Sequence, residues 1–255
     1  MNTAKWRSGE EIRKSFISMF KNLCSRFDAA SVWSDTMFLL GCSISNSVDF
    51  RHFEQREKAW LDTIAKYNPK EQALYPLLYQ ELVSALDKNP GQDFLGEVYT
   101  HLGINTHSGG KYFTPHQVSM LMSLCCIDHL YSATIEHGYS SLNDTACGSG
   151  STLIATIQSA ALLFSNKGLN WQNHILVAAQ DINLTAALMC YIQLSLLGAA
   201  GYVKVGDALS DPMTNDDSPE KYWFTPMYFS DVWRGRRIFT DAFLLRPQSN
   251  IKGDI

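Results

Sequence analysis

The chain has 255 residues, of which 45% are hydrophobic, 12% aromatic and 18% charged. That is enough apolar matter for one sizeable core with an appendage, and it excludes a disordered or low-complexity protein. With 21 Lys and Arg against 25 Asp and Glu the formal net charge is −4, so bulk positive charge cannot hold nucleic acid and any such contact is local.

Residues 1–90 read as helices separated by turns. Ser8-Gly-Glu-Glu opens an amphipathic stretch that places Ile12, Phe16, Met19, Phe20 and Leu23 on one face. Segments 54–67 and 70–87 again carry apolar residues at helical spacing, with Asn68-Pro69 and Asn89-Pro90-Gly91 as breaks. The N-terminus has no apolar core of the kind a signal peptide needs.

From about residue 91 the grammar changes. A helix is expected over 115–137, then a short strand over 139–143, a glycine-containing turn, and an apolar helix through Leu153, Ile157 and Phe164. Next come the apolar strand ILVAAQDI at 175–182, a helix ending at Leu197-Gly198, and the strand YVKVGDAL at 202–209. Mostly apolar strands alternating with helices predict an α/β fold with a doubly wound, mostly parallel sheet beside the helical N-terminal region. Uncharged runs at 145–166 and 182–203 are long enough to span a bilayer, but glycines in the first and Asn183, Thr185, Gln193 and Ser195 in the second suit helices buried against a sheet. No membrane association is expected. Residues 210–220 form a polar loop, and the tail beyond it carries a basic patch of Arg234, Arg236, Arg237, Arg246 and Lys252.

In an open parallel sheet ligands sit at the carboxyl ends of the strands. The first strand is followed by Asp144-Thr-Ala-Cys147-Gly148-Ser-Gly150, whose glycines permit close backbone approach ahead of a helix N-terminus. On that feature alone a tight turn without ligand is an equal reading. The second strand ends in Asp181, suited to accept both hydroxyls of a ribose or simply to cap the next helix. The third ends in Asp207, placed to accept from the exocyclic amine of a purine. Together the three ends describe a pocket for an adenosine-bearing ligand. Six cysteines (Cys24, Cys42, Cys125, Cys126, Cys147, Cys190) include no C-x-x-C pair and the histidines no H-E-x-x-H, so no metal site or disulfide framework is expected and the setting is a reducing cytoplasm.

The order of these motifs resembles the adenine-N6 DNA methyltransferases of the type I restriction-modification kind, which use S-adenosylmethionine. The similar text runs through Asp93-Phe-Leu-Gly96-Glu-Val-Tyr99, Gly109-Gly-Lys-Tyr-Phe113-Thr114-Pro115, NDTACGSG at 143–150, QDIN at 180–183 and GDAL at 206–209, about half the chain. The resemblance implies S-adenosylmethionine as cofactor. Phe113, Thr114 and Pro115 would fold over its methionine part, while Asp144, Ala146, Cys147, Gly148 and Gly150 would line its backbone side. Asp181 would hold the ribose and Asp207 the adenine ring. For Cys147 a small buried residue is the simpler reading.

The family's catalytic motif, N/D-P-P-Y/F after the fourth strand, accepts the hydrogens of a flipped adenine's amine and does not occur in its usual form. The nearest text is Thr225-Pro226-Met227-Tyr228, in which Thr225, Pro226 and Tyr228 would be the catalytic residues and the alternative is an ordinary hydrophobic turn. The implied organisation is a helical region over 1–90 and a methyltransferase-like domain over 91–255 with an incomplete C-terminal half. The implied activity is adenine-N6 methyl transfer to DNA, weak or dependent on a protein partner that recognises the target. Two alternatives stand beside it: a catalytically inactive cofactor-binding partner or regulatory subunit, and a methyltransferase acting on RNA or protein.

Overall fold

The structure, a computed structural model, describes residues 7–104, 114–214 and 216–239. Helix α1 (Gly9–Leu23) begins where the sequence signals it: the Ser8 side chain accepts from the Glu11 amide while the Glu11 carboxylate accepts from the Ser8 amide. Its stripe of Ile12, Phe16, Phe20 and Leu23 is buried. It packs against α5 (Leu74–Lys88), and α2 (Ala29–Asn46), α3 (Phe53–Ile64) and the single turn α4 (Pro69–Gln72) complete the helical region. At its centre lies Trp33, fully buried, with Phe16 and Phe20 edge-on at 6.4 and 5.3 Å and its indole N–H donating to Met189 Sδ at 3.4 Å. The helical region and the sheet therefore share one core.

Helices α6 (Phe94–His101), α7 (His116–Ser123) and α8 (Ile127–His137) lead into the sheet. The helix expected over 115–137 is thus two helices, bent by 48° around residues 124–126. Strand β1 (Ser140–Asp144) is followed by α9 (Ser151–Asn166), β2 (Ile175–Asp181), α10 (Leu184–Leu197) and β3 (Ala200–Val205). The three strands pair in parallel, Ser140 opposite Ile175 and Leu176 opposite Ala200, as their alternation with helices predicts. The third strand ends at Val205 rather than at 209. Residues 207–211 instead form a turn in which the Asp211 amide donates to the Asp207 carbonyl.

A short fourth strand, β4 (Tyr222–Phe224), pairs antiparallel with β3, giving the order β1-β2-β3-β4. The connection from β3 contains no α-helix, and without a helical crossover the chain returns beside its own strand in the opposite direction. The final described helix is α11 (Asp231–Phe239). Period-two alternation sorts the sheet's side chains. Val177, Ala179 and Val203 join the core built with α9, α10 and the N-terminal helices, whereas Leu176, Ala178, Tyr202, Tyr222 and Phe224 face Tyr228 and Trp233. Arg56 of α3 fastens the helical region to the sheet edge, donating to the Tyr222 carbonyl at 2.9 Å and lying 3.9 Å from the Trp223 ring centre. Among the described residues no single helix is long and apolar enough to cross a membrane.

Candidate functional site

Parallel pairing brings the ends of β1, β2 and β3 to one edge of the sheet, so Asp144, Asp181 and Asp207 lie at the same end. The turn after β1 folds back over β2. The Cys147 amide donates to the Gln180 carbonyl at 3.0 Å and the Gly148 amide to Asp181 Oδ2 at 2.9 Å. Gly148 and Gly150 have φ of +54° and +93°, a region other residues enter at a cost. At Gly150 a Cβ would also stand 3.0 Å from Cys190 Sγ, so the turn depends on glycine there for both conformation and space. Cys147 is buried beneath the turn, while Thr145 and Ala146 are exposed at its rim.

The three carboxylates differ in how they are occupied. Asp144 accepts from the Ala146 amide and the Thr152 hydroxyl, and so shapes the turn. Each Asp181 oxygen accepts one backbone amide, Gly148 on one and Asn183 on the other at 2.8 Å. A carboxylate has about four acceptor positions, so Asp181 keeps capacity for a pair of hydroxyls. Asp207 accepts from the Leu209 amide and the Ser210 hydroxyl, each at 3.0 Å. These bonds, the Leu209 amide first, hold its carboxyl below the usual range.

Behind the turn sits a buried network that the sequence does not announce. Asp93, at the start of α6, accepts from the Ser149 hydroxyl at 2.5 Å, from Gln193 Nε2 at 2.9 Å and from the Gly96 amide at 3.0 Å. Gln193 also donates to the Ser149 carbonyl and accepts from the Leu95 amide. Three elements, α6, the glycine turn and α10, are thereby locked together. Gly96 is required by contact: a Cβ there would lie 2.2 Å from Asp93 Oδ2 and 2.6 Å from Ser149 Oγ. A fully buried lysine fixes the loop after β3. Lys204 Nζ donates to the Asp211 carbonyl and carboxylate, the Pro212 carbonyl and Asp217 Oδ2, all at 2.9–3.0 Å. Burial raises the Asp217 carboxyl, but donors from Tyr222, Lys204 and Thr214 outweigh it and hold the group well below the usual carboxylate range.

Thr114 and Pro115 are exposed ahead of α7, which is joined to α9 by a Ser119–Ser151 hydroxyl contact of 3.0 Å; Phe113 lies outside the described residues. Between α7, the bend that follows it, β1 and α9 a cleft of about 530 Å³ opens beside Asp144, lined among others by Met122, Cys125, Leu142, Thr145 and Thr152. This falls within the ~300–1,000 Å³ usual for small-molecule sites.

The structure places Thr225, Pro226 and Tyr228 away from the three acids. Because β4 runs antiparallel, its end lies at the amino ends of the parallel strands, opposite the three acids. Thr225 is fully buried there, its hydroxyl donating to the Ala199 carbonyl at 2.7 Å and accepting from the Gly201 amide at 2.9 Å. Tyr228 stacks on Phe224 at 4.8 Å and carries the Arg237 guanidinium 4.1 Å from its ring centre. Of the basic patch, Arg246 and Lys252 lie outside the described residues, and the other three arginines are engaged within the molecule. Arg237 donates to the Tyr228 carbonyl, Arg236 donates to the Asn173 carbonyl, and Arg234 pairs with Asp231.

The sequence model of the N-6 DNA methylase family matches residues 91–252. No curated protein matches the chain. Among solved structures the chain is similar to the methyltransferase subunit of a type I restriction-modification system from Streptococcus thermophilus, at 13% identity and TM-score 0.47, over 84% of this chain and 61% of that one. It is also similar to a Listeria monocytogenes protein described as a class I S-adenosylmethionine-dependent methyltransferase, at 14% identity and TM-score 0.44, over 81% and 56%. The chain therefore spans less than two thirds of either protein.

Proposed function

The chain belongs to the N-6 DNA methylase family, and from that premise we propose that it binds S-adenosylmethionine across the carboxyl ends of β1, β2 and β3 and acts in adenine-N6 methylation of DNA. The observation that carries this reading is the Gly148–Asp181 bond. It joins a glycine turn to a carboxylate with spare acceptor capacity, the pairing needed to bring backbone close to the cofactor and to hold a ribose. Asp181 accepts the ribose hydroxyls, and Asp207, kept ionised by Leu209 and Ser210, accepts from the adenine amine. The Asp144–Gly150 turn, including Ala146, Cys147 and Gly148, provides the wall on the cofactor's methionine side, and Phe113, Thr114 and Pro115 close over it. When bound, the cofactor supplies a methyl group activated by a positively charged sulfur.

A flipped adenine needs acceptors for its amine hydrogens, and the Thr225 hydroxyl is committed to Ala199 and Gly201 at the other end of the sheet. That placement favours a second reading, a cofactor-binding subunit whose partner supplies target recognition or catalysis. On either reading the chain works on DNA in the cytoplasm with a protein partner. The test is labelled-methyl transfer from S-adenosylmethionine to unmethylated DNA. Label at adenine N6 supports the first reading. Cofactor binding without transfer establishes the second, and label appearing in RNA or protein instead overturns the DNA assignment.

A further inference from the structure

A groove of about 950 Å³ runs along α1, walled by the end of α5 and by α6. Helical spacing builds it. While Ile12, Phe16 and Phe20 turn into the core, Glu10, Arg13, Lys14 and Lys21 fall on the side of α1 that lines the groove. Lys88, in the last turn of α5, and His101, in the last turn of α6, line it from the other walls. Lys88 Nζ donates to the Arg7 carbonyl just ahead of α1 and so marks the end near Gly9, and Lys21 marks the far end. Between Gly9 and Lys21 the helix rises ~18 Å.

Arg13, Lys14, Lys21 and Lys88 line this groove against a single carboxylate, Glu10, on a chain whose formal net charge is −4. Lys14 pairs with Glu10, and Arg13 with Glu97 of α6. Lys21 and Lys88 have no carboxylate partner among the described residues, and His101 adds a ring N–H. Cations elsewhere are matched: Arg7 to Glu81, Arg26 to Glu71, Lys66 to Asp35 and Lys221 to Asp211. Lys21, Lys88 and His101 each stand where a cation offsets a helix dipole. That accounts for each one singly but not for their meeting in one groove, where positive charge in excess of its partners collects.

The groove is also tied to the glycine turn. The Arg13–Glu97 pair joins α1 to α6, and one helical turn back along α6, ~5.4 Å, Asp93 accepts from the Ser149 hydroxyl. The family match begins at residue 91, so α1 and α5 contribute this surface from outside it.

We propose that this groove seats the sugar–phosphate backbone of a DNA duplex, with Lys21 and Lys88 as its phosphate contacts, an inference that rests on the reading that the chain acts on DNA. A length of ~18 Å covers about five phosphates of one strand at ~3.4 Å each, so lysines at its two ends engage separate phosphates. Contacts of this kind fix the position of a duplex and carry no sequence information. The choice of target sequence is thereby left to the partner.

Fluorescence anisotropy with duplexes of two unrelated sequences, titrated with the full-length chain over ~50–200 mM salt, tests the assignment. The groove variant is Lys21→Gln/Lys88→Gln. A control of equal charge is Lys58→Gln/Lys70→Gln, whose lysines are exposed outside the groove. The groove variant should bind both sequences more weakly, with a log–log salt slope shallower by ~2, about one for each phosphate contact removed. The control should keep the slope of the unaltered chain, and Lys21→Arg/Lys88→Arg, which retains both charges, should keep its affinity. Equal losses in the groove and control variants, a groove variant that binds like the unaltered chain, an arginine variant as weak as the glutamine one, or no duplex binding by the unaltered chain each overturn the proposal. Binding is read here without methyl transfer, so DNA held outside the groove leaves the adenine-N6 reading standing, and absence of transfer leaves the groove assignment standing.

Discussion

Ser149, in the middle of the glycine turn, donates its hydroxyl to the Asp93 carboxylate at the head of α6, 56 positions earlier in the chain. The bond is buried on both sides, and Asp93 is also held by Gln193 and Gly96. The turn that faces the pocket is therefore positioned from behind by a polar network.

Breaking that network should be felt in stability and in cofactor binding. Ser149→Ala leaves one Asp93 oxygen without its donor in a buried setting, a loss of about 1–3 kcal/mol. Gly96→Ala adds a Cβ 2.2 Å from Asp93 Oδ2 and should cost more. Urea denaturation measures both, and a Gly96→Ala protein as stable as the unaltered chain contradicts the assignment.

Thr225→Val should destabilise, because the Gly201 amide loses its buried acceptor, by about 1–3 kcal/mol. Cofactor affinity should be unchanged, since the position lies at the opposite end of the sheet. A weakened cofactor titration in a variant that remains folded would return Thr225 to the site.

Much of this was legible in the sequence because parallel strands buried on both faces read as apolar runs: residues 175–181 are ILVAAQD, and six of the seven are buried. The acids at the strand ends followed from the same grammar. The direction of β4 did not, because a three-residue strand has too little pattern to show which way it runs. The Asp93–Ser149–Gln193 network was hidden as well. Its members are up to 100 positions apart, and in sequence each reads as an ordinary cap or helix polar residue. The break around residues 124–126 carries neither Gly nor Pro to mark it.

Lys204→Met should remove the anchor of the loop after β3 while keeping the apolar stem. Taking one partner from a buried ion pair costs about 3–5 kcal/mol. Asp217 adds an acid dependence. Its folded-state carboxyl is held below the unfolded one, so its contribution is complete above the unfolded value of ~3.9 and is lost as pH falls below it. Thermal unfolding between pH 3 and pH 7 should show this loss in the unaltered chain and a smaller one in Lys204→Met.

The central claim is that the ends of β1, β2 and β3 bind S-adenosylmethionine with Asp181 on the ribose, and calorimetric titration of the unaltered chain and of Asp181→Ala tests it most directly. Loss of a charge-assisted hydrogen bond is worth about 1.5–3 kcal/mol, so saturable one-site binding should weaken by roughly 10- to 150-fold in the variant. No binding to the unaltered chain, or equal affinity in a folded Asp181→Ala protein, contradicts the account.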